Sequence, residues 1–226
     1  MHTPDCVSDD QDKSPALNHR LVTDDVTRMV HWLFSLSFIG AYISADSDSL
    51  LTLHMGLGYL MLILLGFRIL WGLVGPRRAR LVSMWQRIRN ISPWIDAQKA
   101  NNDGLRRHSQ NNWQTPQNAL LALSVVMLLL TTMPLVLSGY MTEISAADGL
   151  FEKLHELFGE FYLLLVIAHV VAIVIVSLWR QRNLARPMVT GYLASKGPDL
   201  IKHRHTWVAL VLCAGALGWV FYFVTR

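Results

Sequence analysis

Phe161-Tyr-Leu-Leu-Leu-Val-Ile-Ala-His169-Val-Val-Ala-Ile-Val-Ile-Val-Ser-Leu-Trp179 contains no Asp, Glu, Lys or Arg. At about 1.5 Å of rise per residue, a helix over this run is roughly 28 Å long, close to the hydrocarbon thickness of a bilayer. A soluble core of this size would alternate or show amphipathic stripes, and this run does neither. It reads as a membrane span.

Working outward, four more apolar blocks have the same character, and the run itself lies in a block over about 153–179. The first covers about 29–45, short for a span, so that Arg28 and its neighbours sit at the interface. The second covers about 50–74, has Arg68 as its single charge, and is stopped by Gly75-Pro76. The third covers about 118–140 with Pro134 near its end, and the last covers 207–224. The chain is 52% hydrophobic and 16% charged, which argues against a soluble domain. The expected fold is an all-α membrane protein with five transmembrane helices.

Basic residues set the orientation. Segment 76–117 carries Arg77, Arg78, Arg80, Arg87, Arg89, Lys99, Arg106 and Arg107, and segment 180–204 carries Arg180, Arg182, Arg186, Lys196, Lys202 and Arg204. Loops 45–49 and 141–152 carry no Lys or Arg. Positive loops stay in the cytoplasm, so the N-terminus is expected inside and the C-terminus outside, as a multi-pass membrane protein. The same placement explains the sequence pI of about 9.3 without a nucleic-acid partner. Trp85, Trp94 and Trp113, interleaved with basic residues, fit a segment lying along the headgroups.

Residues 1–27 are polar and acidic and read as a mobile cytoplasmic tail, with no signal-peptide pattern. Cys6 and Cys213 are far apart, so neither a disulfide framework nor a thiolate metal site is expected. The chain has no Cys-x-x-Cys-His, which excludes the usual covalent attachment of a c-type haem.

Nine histidines remain to be explained. His2, His19, His108, His203 and His205 lie in polar segments, where solvation accounts for them. His31, His54, His155 and His169 lie in or at the ends of apolar blocks, where ionisable residues are rare and expensive and function is the default hypothesis. The competing reading is a neutral histidine bonded to a carbonyl of a neighbouring helix. His155 and His169 are almost four whole turns apart, on one face and separated by roughly 21 Å. Helix direction then places His169 at the level of His31, near the cytoplasmic surface, and His155 at the level of His54, near the periplasmic one. Two histidine pairs stacked in this way are what two bis-histidine haems require. A bare metal ion would want closer spacings, such as i, i+4.

Arg68 lies fourteen residues after His54, on the same face, and so reaches the cytoplasmic level. A guanidinium at that depth needs a partner, and a haem propionate is a planar carboxylate it can hold bidentately. Snorkelling to the headgroups is the other explanation. Gly56, Gly58 and Gly66 on the same helix suit either the close approach of a flat macrocycle or ordinary helix packing.

The runs Thr27-Arg28-Met-Val-His31-Trp32, His54-Met-Gly56-Leu-Gly58-Tyr59 and Arg68-Ile-Leu-Trp71-Gly72-Leu-Val-Gly75-Pro76-Arg77-Arg78-Ala79-Arg80 resemble the prokaryotic cytochrome b561 family, which includes the b-type cytochrome subunits of nickel–iron hydrogenases. The resemblance continues through His155-Glu156, His169 and Met188-Val-Thr190-Gly191, over roughly residues 25–196. It implies a four-helix transmembrane bundle holding two haem b groups, in a domain over 28–196 with a cytoplasmic loop at 75–117. Residues 197–226 would add a basic linker and the fifth helix. It also implies His31 with His169 on the cytoplasmic haem and His54 with His155 on the periplasmic one. The family's His-Asn-Pro motif before the third helix is degenerate here, reading Gln114-Thr-Pro116-Gln-Asn118, and the fifth helix lies outside the four-helix core.

Two histidines saturate an iron's axial positions, which suits one-electron transfer rather than oxygen activation. The first expectation is therefore a membrane electron-transfer subunit of the respiratory chain. It would exchange electrons between the quinone pool and a periplasmic redox protein, a hydrogenase or a cytochrome of the c type. A second reading is a stand-alone enzyme that passes electrons from a small periplasmic reductant such as superoxide to quinone. That reading calls for a basic residue near the periplasmic haem, and only Lys153 qualifies. A third is a non-redox membrane anchor or metal transporter, which predicts no haem. Glu156 and Glu160, one turn apart, are candidate proton relays for quinol oxidation, with interfacial solvation as the alternative.

Overall fold

The computed structural model describes residues 19–76, 79–102, 113–144, 149–194, 199–201 and 203–225. Cys6, His2, His108, Arg77, Arg78 and Asp148 lie outside the described residues, as does residues 1–18 of the expected tail. Five helices are long and apolar enough to cross a membrane. They are α1 (Asp25–Ser44), α2 (Leu51–Val74), α5 (Gln114–Ile144), α6 (Leu150–Arg180) and α8 (Thr206–Val224). Each encloses one of the apolar blocks to within a few residues. With 31 residues each, α5 and α6 extend to about 46 Å, so their ends pass beyond the hydrocarbon into the headgroup layers.

Segment 75–117 is more regular than its composition suggests, forming α3 (Leu81–Arg89) and α4 (Ile91–Asn102). On α3 the residues Leu81, Met84 and Ile88 are half-buried at helical spacing, while Val82, Trp85, Arg87 and Arg89 are exposed. That apolar stripe lies against α5. The short α7 (Arg186–Thr190) precedes the last span.

The expected tail of residues 1–27 needs correction, because from residue 19 onward the chain is tied into the fold. β1 (His19–Leu21) pairs antiparallel with β2 (Tyr192–Ala194), with Leu21 opposite Tyr192. The Leu21 amide donates to Asp199 Oδ1 at 2.8 Å, and the amides of Val22 and Thr23 donate to the Gly191 carbonyl. Asp24 then caps α1, accepting from the Thr27 amide at 3.1 Å and from Thr27 Oγ1 at 2.6 Å. It also accepts from Trp71 Nε1 at 3.0 Å, which ties the start of α1 to the end of α2. Asp24 is 2% exposed, a burial that only this full set of donors makes tolerable for a carboxylate.

α1 packs on α2 and α5 on α6, and the close backbone contact between these two hairpins runs through α2 and α5. Phe38, Met61, Leu135, Val136 and Tyr162 form the layer inside the four helices. Tyr162 lies midway along α6 between His155 and His169, and its ring centre is 4.7 Å from that of Phe38. This layer therefore separates the two histidine levels by about 10 Å on either side.

α8 stands outside the four-helix core, in the groove between α1 and α2. Ala209 packs with Val26 and Val30 at one end of that groove, and Ala216 with Leu60 and Leu64 further along. Trp219 Nε1 donates to the Gly56 carbonyl at 2.8 Å. A Cβ at Gly56 would stand 2.5 Å from the Phe223 ring, so this glycine serves helix packing. Cys213 is half-buried on α8, and the described residues contain no disulfide.

Candidate functional site

Of the four histidines, His54 and His155 are brought together edge to face by the first two turns of α2 and α6. Their ring centres lie 5.8 Å apart with planes at 85°. His54 Nδ1 is 2.8 Å from the Ala41 carbonyl in the last turn of α1, which also accepts from Ser44 Oγ at 3.1 Å. His155 Nδ1 is 2.9 Å from the Leu135 carbonyl on α5. A carbonyl only accepts, so each neutral ring carries its proton on Nδ1 and presents the Nε2 lone pair. Holding the far nitrogen in this way sets the tautomer and orientation of a metal-ligating imidazole.

Gly139 makes the approach of His155 possible. A Cβ at this position would be 2.8 Å from His155 Cε1 and 2.9 Å from Nδ1. Nothing in the sequence marks Gly139, because the contact is between helices and no local spacing reports it.

A cavity of about 610 Å³ opens beside this pair, lined by apolar residues that include Phe38, Met61 and Val136. That is within the size range of cofactor sites. Gly58 and Gly159 also line it, and a Cβ at either would meet nothing within 4 Å. The polar rim consists of Asp46, Tyr59, Glu143, Glu156 and Glu160. Tyr59 Oη donates to Glu143 Oε2 at 2.6 Å, linking α2 to α5 across the mouth. The sequence showed Glu143 only as a loop acid.

At the other end, His169 Nδ1 lies 2.9 Å from Ser124 Oγ, whose own proton goes to the Leu121 carbonyl at 2.9 Å. Ser124 therefore accepts from His169, which again turns the Nε2 lone pair outward. His31 and His169 are near enough to interact electrostatically. His31 differs from the other three, since its Nδ1 is buried with no hydrogen-bond partner.

Arg68 is 6% exposed, so it does not snorkel to the headgroups. Its Nη1 donates to the Ala79 carbonyl at 3.0 Å, and the charge of Asp24 is close by. This pins the turn after α2 through one of the five guanidinium donors. Gly66 is exposed, with nothing within 4 Å of an added Cβ, and stands apart from the histidines. His203 is exposed, and His205 packs its edge against Trp71 at 5.4 Å.

The donor chemistry can be tested against a haem. Two axial nitrogen bonds of about 2 Å each, plus the radii of the imidazole rings, put the ring centres about 6 Å apart. The separation of 5.8 Å between His54 and His155 matches that need. Among the described residues no group of three or more His, Cys, Asp or Glu gathers into a cage for a bare ion. What the chain offers is two facing nitrogen donors, a set that suits a metal whose remaining ligands come from a macrocycle. The residues fit the group.

Comparison with known proteins agrees. The family model of prokaryotic cytochrome b561 matches residues 22–191, well over half of the chain. No curated protein and no solved structure matches it. The matched segment contains α1, α2, α5 and α6 with all four histidines, and stops before α8. The chain belongs to the prokaryotic cytochrome b561 family, a family of membrane b-type cytochromes.

Proposed function

We propose that this chain holds two haem b groups and carries electrons across a bacterial cytoplasmic membrane, between the quinone pool and a redox protein on the opposite face. A hydrogenase or a cytochrome of the c type has the chemistry such a partner needs. The observation that carries the reading is the His54–His155 pair, with both Nδ1 atoms held by carbonyls and both residues lining the cavity. Haem ligated by two imidazoles supplies one-electron exchange at an iron with no position open to oxygen or substrate.

His54 and His155 would then hold one haem, with Gly58 and Gly159 leaving room for the macrocycle. His31 and His169 would hold the other. Arg68 is the residue to hold a propionate there, with the donors that Ala79 does not take. The loops rich in Lys and Arg support a cytoplasmic position for this second end and the N-terminus, and a periplasmic one for the C-terminus.

The rim of the cavity favours the first of the two redox readings. Four carboxylates border it, from Asp46, Glu143, Glu156 and Glu160, and no Lys or Arg lines it among the described residues. Such a rim repels an anionic reductant such as superoxide and attracts a partner with a basic face. The stand-alone enzyme therefore ranks second to the electron-transfer subunit.

The test is a dithionite-reduced minus oxidised spectrum of the purified protein, with haem per chain counted as the pyridine haemochrome. Two b-type haems are expected in the parent and loss of one in each of His54→Ala and His169→Ala. A chain purified without haem from haem-replete cells refutes the reading and leaves the membrane anchor or metal transporter. Undiminished haem in both variants refutes the ligand assignment.

A further inference from the structure

We infer that Trp32 and Arg28 are positioning residues for His31, anchoring its turn of α1 to two consecutive backbone carbonyls of α7. The inference rests on the reading of His31 as an axial ligand.

The four histidines are not held alike. His54, His155 and His169 each have Nδ1 within hydrogen-bond distance of an acceptor: Ala41 O, Leu135 O and Ser124 Oγ respectively. His31 has no such partner for its buried Nδ1. A ligating imidazole whose outer nitrogen is not held has its orientation set by packing and by the backbone that carries it.

The backbone around His31 is held from outside. Trp32 Nε1 donates to the Met188 carbonyl at 3.0 Å. Arg28, one turn earlier, donates to the Val189 carbonyl through Nη2 and pairs with Asp25 through Nη1 at 3.0 Å. Both carbonyls belong to the last turn of α7, where helical acceptors have no intrahelical donor. The ring of Trp32 also meets His31 edge to face, with centres 5.5 Å apart. His31 is thus flanked by two side chains that are fixed at their far ends.

The anchor is itself immobilised. Gly191 closes α7 with φ +82, and its carbonyl accepts from the amides of Val22 and Thr23 just before α1. A Cβ there would stand 3.3 Å from the Thr23 carbonyl and 3.4 Å from Arg28 Nη1. The β1–β2 ribbon fastens the same strip to residues 19–21. Displacing α7 therefore moves the turn of α1 that bears His31. His54 and His155 lie at the far end of the bundle, since the end of α2, not its start, meets the start of α1.

Trp32 is 44% exposed, so the alternative is a tryptophan that only anchors α1 in the headgroup layer. Trp32→Phe separates the two, since it keeps an aromatic ring beside His31 and removes only the indole donor. Arg28→Gln removes the second anchor independently and serves where Trp32→Phe does not assemble. The readouts are the low-spin ferric EPR signals of the two haems and their midpoint potentials by redox titration, with signals assigned using His54→Ala. The expected result is that each variant shifts the signal and potential of the His31/His169 haem and leaves those of the His54/His155 haem in place. Two haems with unmoved signals in an assembled variant overturn the inference and leave Trp32 as an interfacial anchor. Absence of haem from the parent defeats instead the functional reading on which it rests.

Discussion

Gly139→Ala is the sharpest single perturbation of the proposed site. The added Cβ would lie 2.8 Å from His155 Cε1, so the ring or α5 has to yield by about 0.6 Å or more to regain van der Waals distance. His155 Nδ1 sits 2.9 Å from the Leu135 carbonyl, and a displacement of that size takes the bond to the edge of hydrogen-bonding range. Overpacking of this kind costs about 1–3 kcal/mol, and the lost hydrogen bond about 0.5–1.5 kcal/mol. Disturbing the support of a metal ligand weakens binding by about 10–100-fold, which is of the same order. The variant should therefore lose the His54/His155 haem and keep the other, halving the pyridine haemochrome per chain. Gly66→Ala is the control, because a Cβ there meets nothing within 4 Å. Full haem content and an unaltered spectrum in Gly139→Ala would refute the placement of His155 against α5, and with it the argument for the site.

Two further predictions concern the cap and the rim. Asp24→Ala removes the N-cap of α1 and the acceptor of Trp71 Nε1, and should destabilise the protein by about 2–4 kcal/mol from the lost cap and the orphaned buried donor. A thermal melt in detergent reads this directly, and a midpoint equal to the parent's would show that Asp24 bears no stability. Glu160→Gln keeps the size of a rim residue and removes its proton chemistry. Quinol oxidation should slow while haem content stays constant, and unchanged turnover with full haem would exclude Glu160 as a relay.

What the sequence determined alone follows from the cost of burying polar groups in hydrocarbon. The five spans were legible because long runs such as 161–179 admit no charge, and the histidine levels because helix rise converts spacing into depth. Asp24 was legible in principle, as an N-cap with Thr27 three residues on and a helix behind it.

Tertiary structure decided which faces meet. The sequence could not say that Gly56 receives Phe223 while Gly58 faces the cavity, nor that Gly139 yields to the ring of His155. It placed Glu143 in a loop, and the structure pairs it with Tyr59 on another helix. It set residues 19–24 in a tail, and the structure binds them to a strip some 170 positions later. It found α8 but not its groove between α1 and α2. The reason is physical. Inside a membrane the lipid is as apolar as the helices, so burial leaves no compositional stripe to mark the contact face. Packing shape and interhelical hydrogen bonds choose the partners, and these exist only once the chain has folded.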